Sequence, residues 1–315
     1  MDQHIEELKT KGYTVVPSVL SDDECEAMSN GMWDTLEYIT NGDISKDDTE
    51  SYKKIYDLHP LHSMLIQHYG VGHAQFVWDI RQNEDVINVF RKVYNSYFNQ
   101  DNSNQNNCDD LLVSFDGISH HMPPEITGRG WFRKMWYHSD QSFVKNDFKC
   151  VQGWVTAHDV NEMDATLSVI EGTHKKPIRE QFRKKFNITN KKDWYKLDDT
   201  EVSFFDNCPR VNITCPKGSL VLWDSRLLHC GKEPTKGRAE SNVRQVCYVS
   251  YQPRYMATNA ALKKRKKAFE ELRMTNHSAA NPMLFAVNPR TYGRPMINNP
   301  RMPVPALTDV GKALI

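Results

Sequence analysis

The stretch Lys134-Met135-Trp136-Tyr137-His138-Ser139-Asp140-Gln141 opens on a short strand, Lys134–His138, dense in aromatic residues that suit a pleated surface. Side chains alternate across a strand, so His138 and Asp140, two residues apart, project to one face. The same character recurs nearby. Leu111–Phe115, Cys150–His158, Thr166–Ile170, Ser219–Trp223 and Arg244–Gln252 are rich in β-branched or aromatic residues, several with Gly, Pro or Asp at their borders. The first third reads differently. Residues 2–11 form a short helix, Gly12 to Leu20 a strand entering a turn, and Ser21-Asp22-Asp23-Glu24 a capping box. That box opens a helix whose inner face runs through Met28, Met32, Leu36 and Ile39. Residues 41–56 read as a loop, 83–98 as a second long helix, and 99–109 as a polar break. Short strands in one part and helices in another predict a mainly β fold with a helical layer: a jelly-roll, or double-stranded β-helix, core. A single domain over 1–315 is expected. Residues 1–108 are mainly helical, 109–255 form the core with an insertion near 175–209, and 256–315 form a helix and an extended tail.

Chemistry enters through a third donor. Trp223-Asp224-Ser225-Arg226-Leu227-Leu228-His229-Cys230-Gly231 places His229 at a strand end. Two imidazoles and one carboxylate on one octahedral face leave three positions open, the arrangement used by non-haem iron(II) oxygenases. Two of these can chelate a 2-oxo acid and the third can admit oxygen. His138, Asp140 and His229 are the candidate metal ligands and catalytic centre. The competing motifs are poorer. His4-Ile5-Glu6 lies in a predicted helix, where residues two apart diverge, and His158 and Asp159 are adjacent and point to opposite faces. The bland alternative for His138 is a hydrogen-bonded core histidine.

A dicarboxylate co-substrate also needs a cation at the far end of its pocket, and the planar fork of arginine binds carboxylate bidentately. Arg244 opens a strand that follows His229 and could pair with the His229 strand; its bland alternative is a surface ion pair. Arg238, in Thr235-Lys236-Gly237-Arg238, is the rival from a loop. Gln152 and Trp154 share a strand face and can line the co-substrate pocket, although core packing explains Trp154 nearly as well. Lys134 and Trp136, on the face of His138, are further lining candidates.

Bulk composition narrows the class. The 315 residues carry 40 basic and 40 acidic side chains, so no net field draws the chain to nucleic acid or membranes. Seven cysteines without a Cys-x-x-Cys pair argue for reduced thiols. The N-terminus lacks a signal-peptide core and no apolar run reaches spanning length, which predicts an intracellular, cytoplasmic protein, with the nucleus also open. Basic runs at 175–192 and 263–267 read as solvated helix faces rather than nucleic-acid contacts, and no obligate protein partner is evident.

These residues together resemble the phytanoyl-CoA dioxygenase family of 2-oxoglutarate oxygenases, over Gly12 to about Gln252. The likeness rests on Gly12-Tyr-Thr-Val-Val-Pro17 with Leu20-Ser-Asp-Asp-Glu24, on His138-x-Asp140, and on Trp154-Val-Thr-Ala-His-Asp-Val160. It also rests on Leu167-Ser-Val-Ile-Glu-Gly-Thr-His174, and on His229 ahead of an arginine that starts the next strand. The resemblance implies that His138, Asp140 and His229 bind Fe(II), that Arg244 binds 2-oxoglutarate, that Trp154 contacts the co-substrate, and that His174 is structural. Ser114-Phe-Asp-Gly117 and Cys150-Val-Gln-Gly-Trp154 match less-characterised members. Gly231 stands where many members have serine, Glu171 replaces a proline, and the gap from His229 to Arg244 is long, which keeps Arg238 in play. The implied reaction uses O2 and 2-oxoglutarate to hydroxylate a substrate, a small molecule by preference. The alternatives are a metal-dependent jelly-roll enzyme that does not use 2-oxoglutarate, and an oxygenase acting on protein or nucleic acid.

Overall fold

The computed structural model describes residues 1–99 and 107–315, so most of the polar break expected at 99–109 lies outside the described residues. The strands are β1 (Tyr13–Val16), β2 (Leu65–Ile66), β3 (Leu111–Val113), β4 (Ile118–His121), β5 (His138–Ser139), β6 (Val151–Thr156) and β7 (Thr166–Ile170). They continue as β8 (Tyr195–Lys196), β9 (Arg210–Asn212), β10 (Leu220–Asp224), β11 (Leu228–Lys232), β12 (Arg244–Val249) and β13 (Tyr251–Pro253). Two large antiparallel sheets result, ordered β1-β10-β6-β12-β4-β2 and β8-β5-β11-β7-β9, and β13 and β3 pair as a separate two-stranded sheet. Their inner faces meet in one apolar cluster, with Trp154, Val221, Trp223 and Val246 from the first sheet and Leu167 and Val169 from the second. The second sheet is shielded on its far side by the helix Lys176–Lys185, whose Phe182 packs with Phe143, Phe205 and Tyr137.

The helices of the first third cover the first sheet and close the larger core. The helix Asp22–Ile39 starts on the expected capping box: the Ser21 hydroxyl accepts from the Glu24 amide at 3.2 Å, and the Glu24 carboxylate accepts from the Ser21 amide at 2.8 Å. Such a cap stabilises a helix by about 1 kcal/mol. Cys25, Met28, Met32, Leu36 and Ile39 are buried at three- and four-residue spacing, as one apolar stripe requires. Gly12 and His174 explain each other. Gly12 has φ +94°, and a Cβ there would lie 2.6 Å from His174 Nδ1, while His174 Nε2 bonds the Lys9 carbonyl at 3.0 Å. Glycine therefore lets the first strand pass tightly against the Gly172-Thr173-His174 turn.

Three expectations need correction. The segment 41–56 is not all loop, because a 3₁₀ helix occupies Thr49–Leu58 behind an Asp48 cap. The strand expected over Lys134–His138 shrinks to His138–Ser139, and the chain before it is irregular. The Arg244 strand does not pair with the His229 strand: β12 pairs with β4 and β6, while β11 pairs with β5 and β7. The connection between them crosses from one sheet to the other, so His229 and Arg244 approach the interior from opposite sheets. Among the described residues, no helix is long and apolar enough to cross a membrane.

Candidate metal centre

His138 and His229 are register partners on β5 and β11, which brings residues 91 positions apart in sequence side by side. Their rings lie 4.3 Å apart between centroids. Asp140 follows just beyond β5 and turns its carboxylate between them, with Oδ1 3.6 Å from His138 Nε2 and Oδ2 3.2 Å from His229 Nε2. One ligand atom from each residue fits within 4.8 Å of the others, close enough to share an ion. All three side chains are at most 8% exposed.

The surroundings set the donor atoms. His229 Nδ1 donates to the Leu227 carbonyl at 2.9 Å, which leaves the Nε2 lone pair aimed at the cluster. Gln152 Nε2 donates to Asp140 Oδ2 at 2.6 Å and fixes the carboxylate. Arg179, fully buried, reaches the carbonyls of Gln141, Ser142 and Arg226 and the Ser139 hydroxyl, and so braces the turn that carries Asp140. Burial pushes the His138 imidazole down to about 3. Burial alone would raise the Asp140 carboxyl, but the imidazoles of His277, His138 and His229 outweigh it and hold it well below the usual carboxylate range. Neutral imidazole beside ionised carboxylate is the state a divalent cation needs. The donor chemistry therefore fits a resident metal of the borderline kind.

Gln152 acts through Asp140 in this arrangement. Replacing it with leucine is expected to weaken Fe(II) affinity by about 10- to 100-fold with the fold intact. Competition against a chromophoric chelator measures this, and an unchanged affinity would remove Gln152 from the centre.

The candidate co-substrate residues divide. Arg244 is 6% exposed; its Nε donates to Ser119 Oγ at 3.1 Å and its Nη1 to the Ala165 carbonyl at 3.1 Å. Its guanidinium lies 5.0 Å from the Trp154 ring centre. Among the described residues no acid pairs with it, so this buried cation has neutral partners only. A buried charge left in that state calls for a counter-ion. Arg238 is already committed, bonded to both Glu125 oxygens at 2.7 and 2.8 Å and to Asp164 at 2.9 Å. Trp154 is fully buried, and its Nε1 has no hydrogen-bond partner, as is true of Trp223 Nε1. Lys134 does not belong here. It is exposed and paired with Asp199 at 2.8 Å, because strand alternation does not extend back to it from the two-residue β5. Trp136, expected on the same face, does meet His138, stacked at 4.8 Å and 3° between ring planes.

Two residues beside the cluster had no sequence signal. Trp194 donates its amide to the Asp140 carbonyl at 3.2 Å and sets its ring 5.9 Å from that of His138. The His277 imidazole favours the ionised form of Asp140 and also of Asp116, in the Ser114–Gly117 segment. Thr275 brings it there, exchanging hydrogen bonds with Phe115 at 2.8 and 3.1 Å.

Comparison with known proteins gives a family and a fold. The sequence pattern of the phytanoyl-CoA dioxygenase (PhyH) family matches residues 8–237. The Ava biosynthesis cluster protein O of Aspergillus versicolor is 27% identical over 219 residues, 67% of this chain and 65% of that protein, so the chain spans just under two thirds of this relative. In fold, a hypothetical protein of Escherichia coli aligns over 100% of this chain and 82% of its own, with TM-score 0.64 and 15% identity. GlcNAc Inducible Gene 2 of Candida albicans aligns over 85% of this chain and 67% of its own, with TM-score 0.61 and 14% identity.

Proposed function

The chain belongs to the phytanoyl-CoA dioxygenase family, a family of iron- and 2-oxoglutarate-dependent enzymes, and from that premise we propose that it is a hydroxylase. Its two-sheet core is read as a jelly roll, with Fe(II) held by His138, Asp140 and His229. One observation carries the assignment. On β6, Gln152 touches Asp140 while Trp154, two residues on and on the same face, lies against Arg244. Two residues of strand span about 7 Å, the scale of a five-carbon dicarboxylate. We read this spacing as room for one co-substrate between the unpaired buried cation and the metal ligands.

When bound, iron supplies the oxygen chemistry, in which O2 converts 2-oxoglutarate to succinate and CO2 and a substrate C–H bond is hydroxylated. The protein's own residues do the rest. His229 and Asp140 present oriented donors, Gln152 holds the carboxylate, and Arg244 takes the far carboxylate of the co-substrate over the Trp154 face. The apolar cluster around Trp154, Trp223 and Val246 keeps bulk water from the interior. The substrate is a small molecule on this reading.

Arg244 gives the test. Arg244→Ala is expected to weaken 2-oxoglutarate binding by about 100-fold, the loss of two charge-assisted hydrogen bonds. Arg238→Ala should leave that affinity nearly unchanged. Calorimetry on the metal-loaded protein under nitrogen distinguishes them, and the reverse ranking would move the anchor to Arg238. Formation of succinate from 2-oxoglutarate by the wild type, and its absence without iron, tests the reaction itself.

A further inference from the structure

Trp194 combines two features that the metal site does not require. It is 55% exposed, and its backbone has φ +68°, a conformation that costs a bulky side chain energy. Its neighbours impose this geometry. Asp193 is bound by the Ser142 amide at 3.0 Å and by Lys145 and Lys149 at 3.0 and 3.2 Å. On the other side, Tyr195 and Lys196 are locked in β8 against β5. An indole exposed to water, on a strained backbone, 5.9 Å from the ring of a candidate ligand is arranged for contact with something else. The neighbouring wall is also aromatic: His62 stacks on Trp136 at 3.9 Å, and Trp136 stacks on His138. Two left-handed residues, His62 at φ 47° and Ser63 at φ 60°, hold that outer ring in place.

We propose that Trp194 is the platform on which the substrate stacks, and that the substrate is a flat aromatic small molecule. This rests on the hydroxylase reading for its location but not for its test. A rigid indole favours a π face over a saturated ring of equal size, because offset stacking adds to the area buried. Stacking there would set one edge of the molecule toward His138 and the metal ligands.

The probes are 2-naphthol and decahydro-2-naphthol, equal in carbon skeleton and hydroxyl and different in aromaticity. Their binding to metal-free wild type, Trp194→Ala and Trp194→Phe is measured by equilibrium dialysis. The wild type is expected to prefer 2-naphthol by about tenfold, the alanine variant to lose that preference, and the phenylalanine variant to keep most of it. Equal affinity for both probes in the wild type would overturn the proposal, and so would an undiminished preference in Trp194→Ala. The iron–2-oxoglutarate absorption of the wild type is recorded separately. If it is missing while the Trp194-dependent preference holds, the hydroxylase reading has failed and the aromatic platform stands.

Discussion

Replacing His138, Asp140 or His229 with alanine is expected to lower Fe(II) affinity by more than about 100-fold, a larger loss than from any residue that acts through a ligand. The three donors come from two strands and a turn, they are at most 8% exposed, and no fourth acid, histidine or cysteine joins their cluster among the described residues. Nothing nearby can substitute for a missing one. The variants should differ in stability. Asp140→Ala leaves Gln152 Nε2 without its acceptor, and a buried unpaired amide costs about 1–3 kcal/mol. Asp140→Asn keeps an acceptor for Gln152 and should remain folded while losing the charge that binds metal. Chelator competition with circular dichroism as the fold control checks both, and an alanine variant that binds iron like the wild type would remove that residue from the ligand set.

Acid should unfold the protein well above the usual carboxylate range. Burial lowers His73, His120 and His138 to about 3 and His121 to about 4, so these four are neutral in the folded state down to about pH 4. In the unfolded chain each takes up a proton near pH 6.5. Between those values the unfolded state binds more protons, so stability is fully present above about pH 6.5 and is lost as the pH falls. Each histidine contributes about 1.4 kcal/mol per pH unit once the unfolded form is protonated, which for the four sums to about 8 kcal/mol between pH 7 and pH 5. That is comparable with the whole stability of many domains. Urea midpoints at pH 7, 6 and 5 should fall steeply, and His73→Gln should reduce the slope. A flat series would show that these rings are not held neutral.

The site was more legible than the frame that holds it. His138 and Asp140 are two positions apart, so local spacing was enough to flag them, although the strand thought to carry them is two residues long and Asp140 sits past its end. Arg244 was visible as a strand arginine, but its sheet was not. Which strands pair depends on the crossing between the sheets, and the turn residues from 233 to 243 do not encode it. Lys134 shows the limit of alternation, which holds only while the backbone stays extended. Arg238 could be set aside only when Glu125 and Asp164 came within reach, partners 113 and 74 positions away. Trp194 and His277 approach the centre through a β8 pairing and a Thr275 contact, long-range events with no local signature. The capping box at Ser21, by contrast, depends on four consecutive residues and was readable directly.

The most direct test is the visible spectrum of the metal-free protein titrated with iron(II) and then 2-oxoglutarate under strict exclusion of oxygen. A weak charge-transfer band is expected that appears only with both present, saturates at one equivalent of each, and needs more 2-oxoglutarate in Arg244→Ala. Stoichiometric iron binding with no band at any 2-oxoglutarate concentration would contradict it.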